Sequence, residues 1–541
     1  MSTLSIDCGT SNTVAFMNIN GQVQILKDVN GKAFFPSIVQ FINQNTIKFG
    51  HGISNHYWKL DDIVRCFKRI TGLKMISADL NLYQEDCLAE VFSGPDGYPR
   101  FKISHFGDEG ITPTEVMSRV YREIGRKARE KTEQPIEHLI ITVPAFFDQH
   151  QRLEALRAAK DAGICDDVHM VGEPNAAAFE HGLNHLIMNS HIMVVDIGAG
   201  TLDICIMRQD QDSLTVTATG GERKLGGEDI TKVICDLVQD KFWNEYGRIN
   251  DRKLICYPKR TSGYRKLLEA LKELVEDAKC QLSRQDSATV NIDLTIFKTG
   301  RKEEHNDDSF GDDDSDEDNI EIRITLDEVR RLTERIMDRV EIAIKNTLRN
   351  ANMRADEISH VILVGGSAHF IPFQETVKRV FPSNKVKMSD NPEEIVARGA
   401  LRVLNESILT KQNRLVEQLS HSYGTLVSEG TKDVYVPIIP RGTTFPTTRT
   451  FSKTFFQVPL KDNTLYPAAD IGLYVCDEMN GGNYELYNPF KITNLDTNPS
   501  NSVTLTFSID DNGVIFVEAK QKNGNPVVMA KSRMRRALDF N

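Results

Sequence analysis

One short pattern occurs twice in this chain. Residues 4–16 read LSIDCGTSNTVAF and residues 193–206 read MVVDIGAGTLDICI. In each copy an apolar run ends at an aspartate, a glycine follows one residue later, and small or hydroxyl residues lead into a second apolar run. That is strand, tight turn, strand, with a carboxylate at the end of the first strand. Gly9, Gly198 and Gly200 let the turn approach a ligand with no Cβ in the way. The N–H groups of such a turn can point at phosphate oxygens. One copy is ordinary turn chemistry, because Asp and Gly are common turn residues. Two copies in register imply a duplicated fold that clamps a nucleotide. Asp7 and Asp196 then face each other across a cleft, where hydrated Mg²⁺ fits between two hard carboxylates.

The chain has 541 residues, room for several domains with substantial cores. It enters its first strand almost at once, so no signal peptide is read, and no apolar run is long enough to span a bilayer. The nine cysteines are scattered without a CxxC pair, which reads as reduced, buried thiols in a cytoplasmic setting. The net charge of −11 is concentrated: residues 303–318 hold ten acids and no Lys or Arg. Without that run the chain is close to neutral, which argues against a nucleic-acid partner. The run itself reads as a solvated, self-repelling loop; a docking site for a basic partner is the sharper alternative.

Strand-like and helix-like stretches alternate along the first 400 residues or so, which predicts an α/β fold. Thr112-Pro113-Thr114-Glu115 is a capping box with proline at the first helical position, and Met117, Val120, Tyr121, Ile124 and Ala128 form the stripe behind it. Thr325 to Glu328 repeats the box, followed by Val329, Leu332, Ile336, Val340 and Ile344. Val361 to Val364 reads as a buried strand stopped by Gly365-Gly366-Ser367. From about residue 421 alternation takes over. Val503, Leu505, Phe507 and Ile509 share a face, Asp511-Asn512-Gly513 turns, and Val514 to Val517 returns. This predicts a separate all-β domain. The expected division is 1–402, a linker at 403–420, and a β domain at 421–541.

Several segments together resemble the heat shock protein 70 (Hsp70) family of ATP-driven chaperones. They are IDCGTSNT, ITVPAFFDQHQR (141–152), GEPNAAAFEHG (172–182), DIGAGTLD (196–203), LGGED (225–229), EDAKCQLS (276–283), ILVGGS (362–367) and NPEEIVARGA (391–400). The resemblance implies a two-lobed, actin-like (ribonuclease H-like) ATPase domain, then a β-sandwich that binds extended apolar peptide, here without the helical lid of longer relatives. It implies ATP or ADP with Mg²⁺ as cofactors, unfolded polypeptide clients, and a J-domain co-chaperone and nucleotide-exchange factor as partners.

The resemblance also assigns residues. Gly9, Thr10, Ser11 and Asn12, with Gly198, Ala199, Gly200 and Thr201, are implied phosphate ligands; Asp7 and Asp196 hold the metal through water. Lys68 is the implied catalytic cation. Glu173, Asp203 and Thr201 place water or metal near the γ-phosphate. Glu276, Lys279, Cys280, Ser283, Gly365, Gly366, Ser367 and Glu393 face ribose and base. Pro144 and Arg152 relay nucleotide state to the β domain. On the residues alone, Glu173 also reads as a helix N-terminal carboxylate, Lys68 as a solvated helix lysine, Arg152 as a surface arginine, and Glu276 to Ser283 as an ion pair with a capping serine. Phe451, Phe455 and Phe456 are candidates beside a peptide groove, or core packing.

Four departures stand out from the family pattern. Ala199 replaces the middle of three glycines. Cys280 stands where many relatives place an arginine. The stretch after Ser367, AHFIP, is one residue longer and lacks an arginine, which predicts looser nucleotide binding. Around Arg414-Leu415-Val416-Glu417-Gln418-Leu419 only three apolar positions survive of a nearly all-apolar linker. The alternative function is a nucleotide-binding scaffold or co-chaperone that hydrolyses weakly or not at all. A small-molecule kinase is disfavoured, since no aspartate base is identifiable and a β domain has no use there.

Overall fold

The computed structural model describes residues 2–531 apart from 55, 57–59, 75–82, 85, 185–189, 211–212, 248–252, 256, 260, 299–318, 411–414, 430–431, 446–450, 457–467, 478–482, 498–501, 523 and 525–527. The acidic run, Arg414 and the basic residues after Lys531 lie outside the described residues, as do the side chains of Phe455 and Phe456.

Two sheets repeat one topology. The first runs Asp167–Gly172, His138–Val143, Ser2–Cys8, Asn12–Ile19, Gln22–Ile25. The second runs Val386–Met388, Ile358–Val364, Ser190–Ile197, Leu202–Gln209, Leu214–Glu222. In both, the aspartate hairpin is antiparallel and the later strands add in parallel beside its first strand. The duplication read from the paired motifs is therefore a duplication of the sheet. Parallel strands buried on both faces need continuous apolar runs, and Leu4, Ile6, Val194, Val195, Ile362 and Leu363 are all buried.

Between the sheets lie helices Glu173–Asn184 and Ile395–Thr410. Small residues let them touch: a Cβ on Gly399 would sit 2.0 Å from the Ala176 carbonyl oxygen. Ala176, Phe179, Val396, Ala400 and Leu404 join Ile140, Val171, Val194 and Ile362 in one core. Each lobe has a further core on the far side of its sheet. Residues 403–410, read from sequence as the start of a linker, continue the second helix.

Helix Pro113–Thr132 begins as its capping box predicts, with the Glu115 N–H donating to Thr112 Oγ1 at 3.2 Å. The second predicted stripe is interrupted. Helix Leu326–Leu332 and helix Glu334–Asn350 are separate, and Leu332 is exposed. Thr333 turns its hydroxyl onto the Val329 carbonyl at 2.8 Å and leaves helical geometry, so the stripe resumes on Met337 and Val340.

The β domain packs its sheets around Tyr423, Ile439, Phe445, Ile492, Leu505 and Phe507. Strand Ser502–Ile509 alternates as predicted. Its turn needs Gly513, whose φ of 70° is left-handed. No helix among the described residues is long and apolar enough to cross a membrane.

The two parts meet edge to edge. Strand Leu415–Gln418 adds in parallel to Leu214 and Thr215, and Thr444–Phe445 pairs with its far side. Strands from beyond residue 411 thereby extend the second sheet to seven. Glu417 is buried there and accepts from the Gly172 N–H at 2.9 Å and Asn175 Nδ2 at 2.5 Å.

Candidate nucleotide site

The two hairpin turns close identically. The Gly9 N–H donates to the Asn12 carbonyl at 2.9 Å, and the Gly198 N–H to the Thr201 carbonyl at 3.1 Å. They meet at Gly200, where a Cβ would stand 2.4 Å from Thr10 Oγ1 and 2.8 Å from Arg69 Nε. Glycine is required here by close approach across the cleft, with no positive φ involved.

Between the turns lies a cleft of about 630 Å³, ample for a small-molecule ligand. Asp7, Asp196, both hairpin turns and every residue assigned above to ribose or base line it, and so do Lys68 and Glu173. Asp203 does not line the cleft. It stands behind the wall, accepting from the Ala145 N–H at 2.7 Å and from Thr201. Pro144 and Arg152 also lie outside. Pro144 begins the turn that contains Ala145, and its carbonyl accepts from the Phe147 N–H at 3.1 Å.

Charge is concentrated beside the hairpin turns. Lys68 sits on the short helix Phe67–Ile70, buried, with Nζ 2.5 Å from Glu173 Oε1 at the start of helix Glu173–Asn184. Burial pulls the ammonium down, but the Glu173 and Asp7 carboxylates outweigh it, so Lys68 is held charged. Burial pushes Glu173 up against the pull of Lys68. Asp196 rises well above the carboxylate range through burial and the neighbouring Glu173, Asp203 and Asp7; Asp203 rises through burial and Glu173. Asp7, Glu173 and Asp196 gather around Lys68 at this end of the cleft, an arrangement that favours entry of a cation. No group of three or more acidic, His or Cys side chains among the described residues could hold a metal directly. Asp7 and Asp196, hard oxygen donors that both line the cleft, fit a hydrated Mg²⁺.

Farther along the lining, Lys279 Nζ contacts Glu276 Oε2 at 2.7 Å and Thr231 Oγ1 at 2.9 Å, and Ser367 Oγ donates to the Gly198 carbonyl at 3.0 Å. Cys280 is exposed on the lining, against the expectation of uniformly buried thiols. It sits in the last turn of helix Ser262–Leu282.

Sequence reasoning missed a second set of charges that bridges the lobes. Arg65 pairs with Glu228 at 2.8 Å and with Glu269; Lys272 meets Glu269 at 2.9 Å. Arg69 holds Asp86 at 2.7 Å, Asp229 at 3.1 Å and the Gly200 carbonyl at 3.0 Å. Glu228 also accepts from Ser11 Oγ at 3.0 Å. Glu228 and Asp229 lie inside LGGED, a segment that carried resemblance without an assigned role.

Arg152 is buried, contrary to its surface reading. It donates to the Asn512 carbonyl at 2.8 Å and lies 5.2 Å over the Phe445 ring. Beside it, the Gln149 backbone N–H donates to the Tyr423 hydroxyl at 3.1 Å.

Comparison with known proteins agrees with this arrangement. The family model described as Hsp70 protein matches residues 3–535. The chaperone protein DnaK of Metamycoplasma hominis is 29% identical over 96% of this chain and 78% of its own length. Those of Mycoplasmopsis pulmonis and Mycoplasmopsis agalactiae are 27% and 26% identical, each over 96% of this chain and 77% of their own length. A match across nearly the whole chain, with two aspartate hairpins closed around one cleft, places this protein in the Hsp70 family of ATP-dependent chaperones.

Proposed function

We propose that this chain binds MgATP between its lobes, hydrolyses it by in-line attack of water, and uses the cycle to bind and release extended apolar segments of unfolded proteins. The observation that carries the reading is the buried Lys68–Glu173 pair between two matched aspartate hairpins. The hairpin N–H groups and the Thr10, Ser11 and Thr201 hydroxyls hold the phosphates. Asp7 and Asp196 hold Mg²⁺ through water; when bound, the ion neutralises phosphate charge. Lys68 stabilises the charge that grows on the transferred phosphoryl group, and Glu173 fixes Lys68 and orients water. Asp203 holds Thr201 in place from behind. Most of the rate then comes from fixed charges aimed at the transition state.

Coupling runs along the chain of contacts from Asp203 through Ala145 and Phe147 to Ser420, and from Arg152 to Asn512. In this reading 1–402, with the rest of helix Ile395–Thr410, is the nucleotide domain, 411–420 the connection and 421–541 the peptide domain, where backbone hydrogen bonds supply affinity and a pocket selects side chains. A J-domain partner, an exchange factor and a cytoplasmic setting belong to the same proposal.

Single-turnover ATP hydrolysis beside a Lys68→Ala control tests it. Hydrolysis abolished by the substitution is expected. Tight ATP binding by the unaltered protein without turnover would overturn the reading in favour of a scaffold.

A further inference from the structure

Helix Ser262–Leu282 carries a row of contacts from the second lobe to the first. Lys266 Nζ reaches Asp61 Oδ1 at 2.6 Å, and Arg265 Nε donates to the Leu88 carbonyl at 3.1 Å. One turn on, Glu269 takes Arg65. Glu273 stands a further turn along, where the four-residue spacing continues the row into the cleft lining. It has no part in the nucleotide chemistry proposed above. Its Oε2 is enclosed and finds no hydrogen-bond partner among the described residues.

The charged groups that face Glu273 are Asp277 and Glu269 from its own helix and Arg65 from the first lobe. Arg65 is already committed to Glu228 at 2.8 Å and to Glu269, and Lys272 to Glu269 at 2.9 Å. Arg65 and Lys272 therefore balance Glu228 and Glu269, and an ionised Glu273 is a carboxylate in excess. An enclosed oxygen without a donor disfavours the charged form. Burial, then Asp277, push the Glu273 carboxyl from 4.5 up to about 7, against the pull of Arg65.

We propose that Glu273 is a proton-linked catch on the lobes: the closed cleft holds it as the neutral acid, and its ionisation favours opening. Opening returns the side chain to water, where it binds a proton no better than an ordinary carboxylate. The closed form then binds the proton more tightly, and by reciprocity the proton favours the closed form. Closure has this gain in full below about 4.5 and loses it as pH rises through the closed value of about 7. A nucleotide held as proposed above is released more slowly in acid, but the catch itself needs no nucleotide.

Förster transfer between dyes carried by encoded amino acids at Lys48 and Lys259, an exposed position on each lobe, reads closure in the nucleotide-free protein. The open fraction is expected to rise about fivefold between about pH 6 and about pH 8, short of the full effect of a buried group because Glu273 is only half-buried. Glu273→Gln, neutral and of the same shape, should stay at the low-pH open fraction throughout. Asp277→Asn removes the nearest like charge and should move the step to lower pH while keeping it. A flat response in the unaltered protein would overturn the proposal, and so would a step that survives in Glu273→Gln, since that step belongs to another group. Because no nucleotide is present, failure of ATP binding would leave the catch standing, and failure of the catch would leave ATP binding standing.

Discussion

The side-chain amide of Gln149 acts as a surrogate strand for Ile515: its Oε1 accepts the Ile515 N–H at 2.9 Å, and its Nε2 donates to the Gly513 carbonyl. One side chain thus satisfies both backbone groups of a β-domain edge, where a buried unpaired group costs about 1–3 kcal/mol.

Gln149→Ala should therefore loosen the β domain and leave both lobes folded. Backbone amide exchange at Ile515 and across Leu415–Gln418 should speed about tenfold. Unchanged protection at Ile515 would show that the amide contributes nothing to docking.

Glu417 tests the same seam from the other side. Both of its donors, Gly172 N and Asn175 Nδ2, use Oε1. Glu417→Gln keeps that oxygen and should hold the strand. Glu417→Ala leaves two buried donors unpaired and should release it, at about 2 kcal/mol. Limited proteolysis between residues 411 and 420 reads the difference, and equal cleavage of the two variants would contradict it.

Glu228 gives a pH signature. Burial opposes its charge, but Arg65, Lys272, Arg69 and Lys279 overcome this and bring its pKa down to about 2, from 4.5. A carboxylate depressed in the folded state stabilises above its unfolded pKa, and that contribution is lost as pH falls through the folded value. Glu228→Gln should cost about 3 kcal/mol at pH 7. The difference from the unaltered protein should shrink as pH drops from about 4.5 toward 2, measured by urea unfolding. A penalty that stays constant over that range would remove Glu228 from the acid response.

The two hairpin glycines should respond differently to the same change. At Gly198 an added Cβ meets only the Thr201 carbonyl oxygen, 3.8 Å away. At Gly200 it strikes Thr10 and Arg69. Without nucleotide, Gly198→Ala should be nearly neutral, and Gly200→Ala should destabilise by about 1–3 kcal/mol. Denaturant titration of the unliganded variants decides this; equal effects would mean that the lobes do not meet at Gly200.

Local signals carried far in this chain. The Asp-x-Gly hairpins, the Thr112 capping box and the Val503–Ile509 alternation each fix geometry within a few residues, so they can be read without a structure. Thr333 was harder, because a hydroxyl bonding back to Val329 overrides a helical stripe that looks continuous. The lobe-bridging pairs left no trace. Arg65 with Glu228, and Arg69 with Asp229, join residues far apart in sequence, and no periodicity marks a charge whose partner comes from another element. Arg152 was legible only as a family position; its burial depends on Asn512 and Phe445, which arrive from the β domain. Cys280 was misjudged because a thiol's composition-level tendency to be buried says nothing about one helix turn on a cleft lining.

Strand Leu415–Gln418 pairs with Leu214 and Thr215, at the start of a strand that would otherwise end the sheet. If it leaves, a row of unpaired backbone donors and acceptors is uncovered on an apolar sheet, a surface that templates any extended chain nearby. A chaperone would then carry, in its own undocked state, an adhesive margin that must be kept from its neighbours.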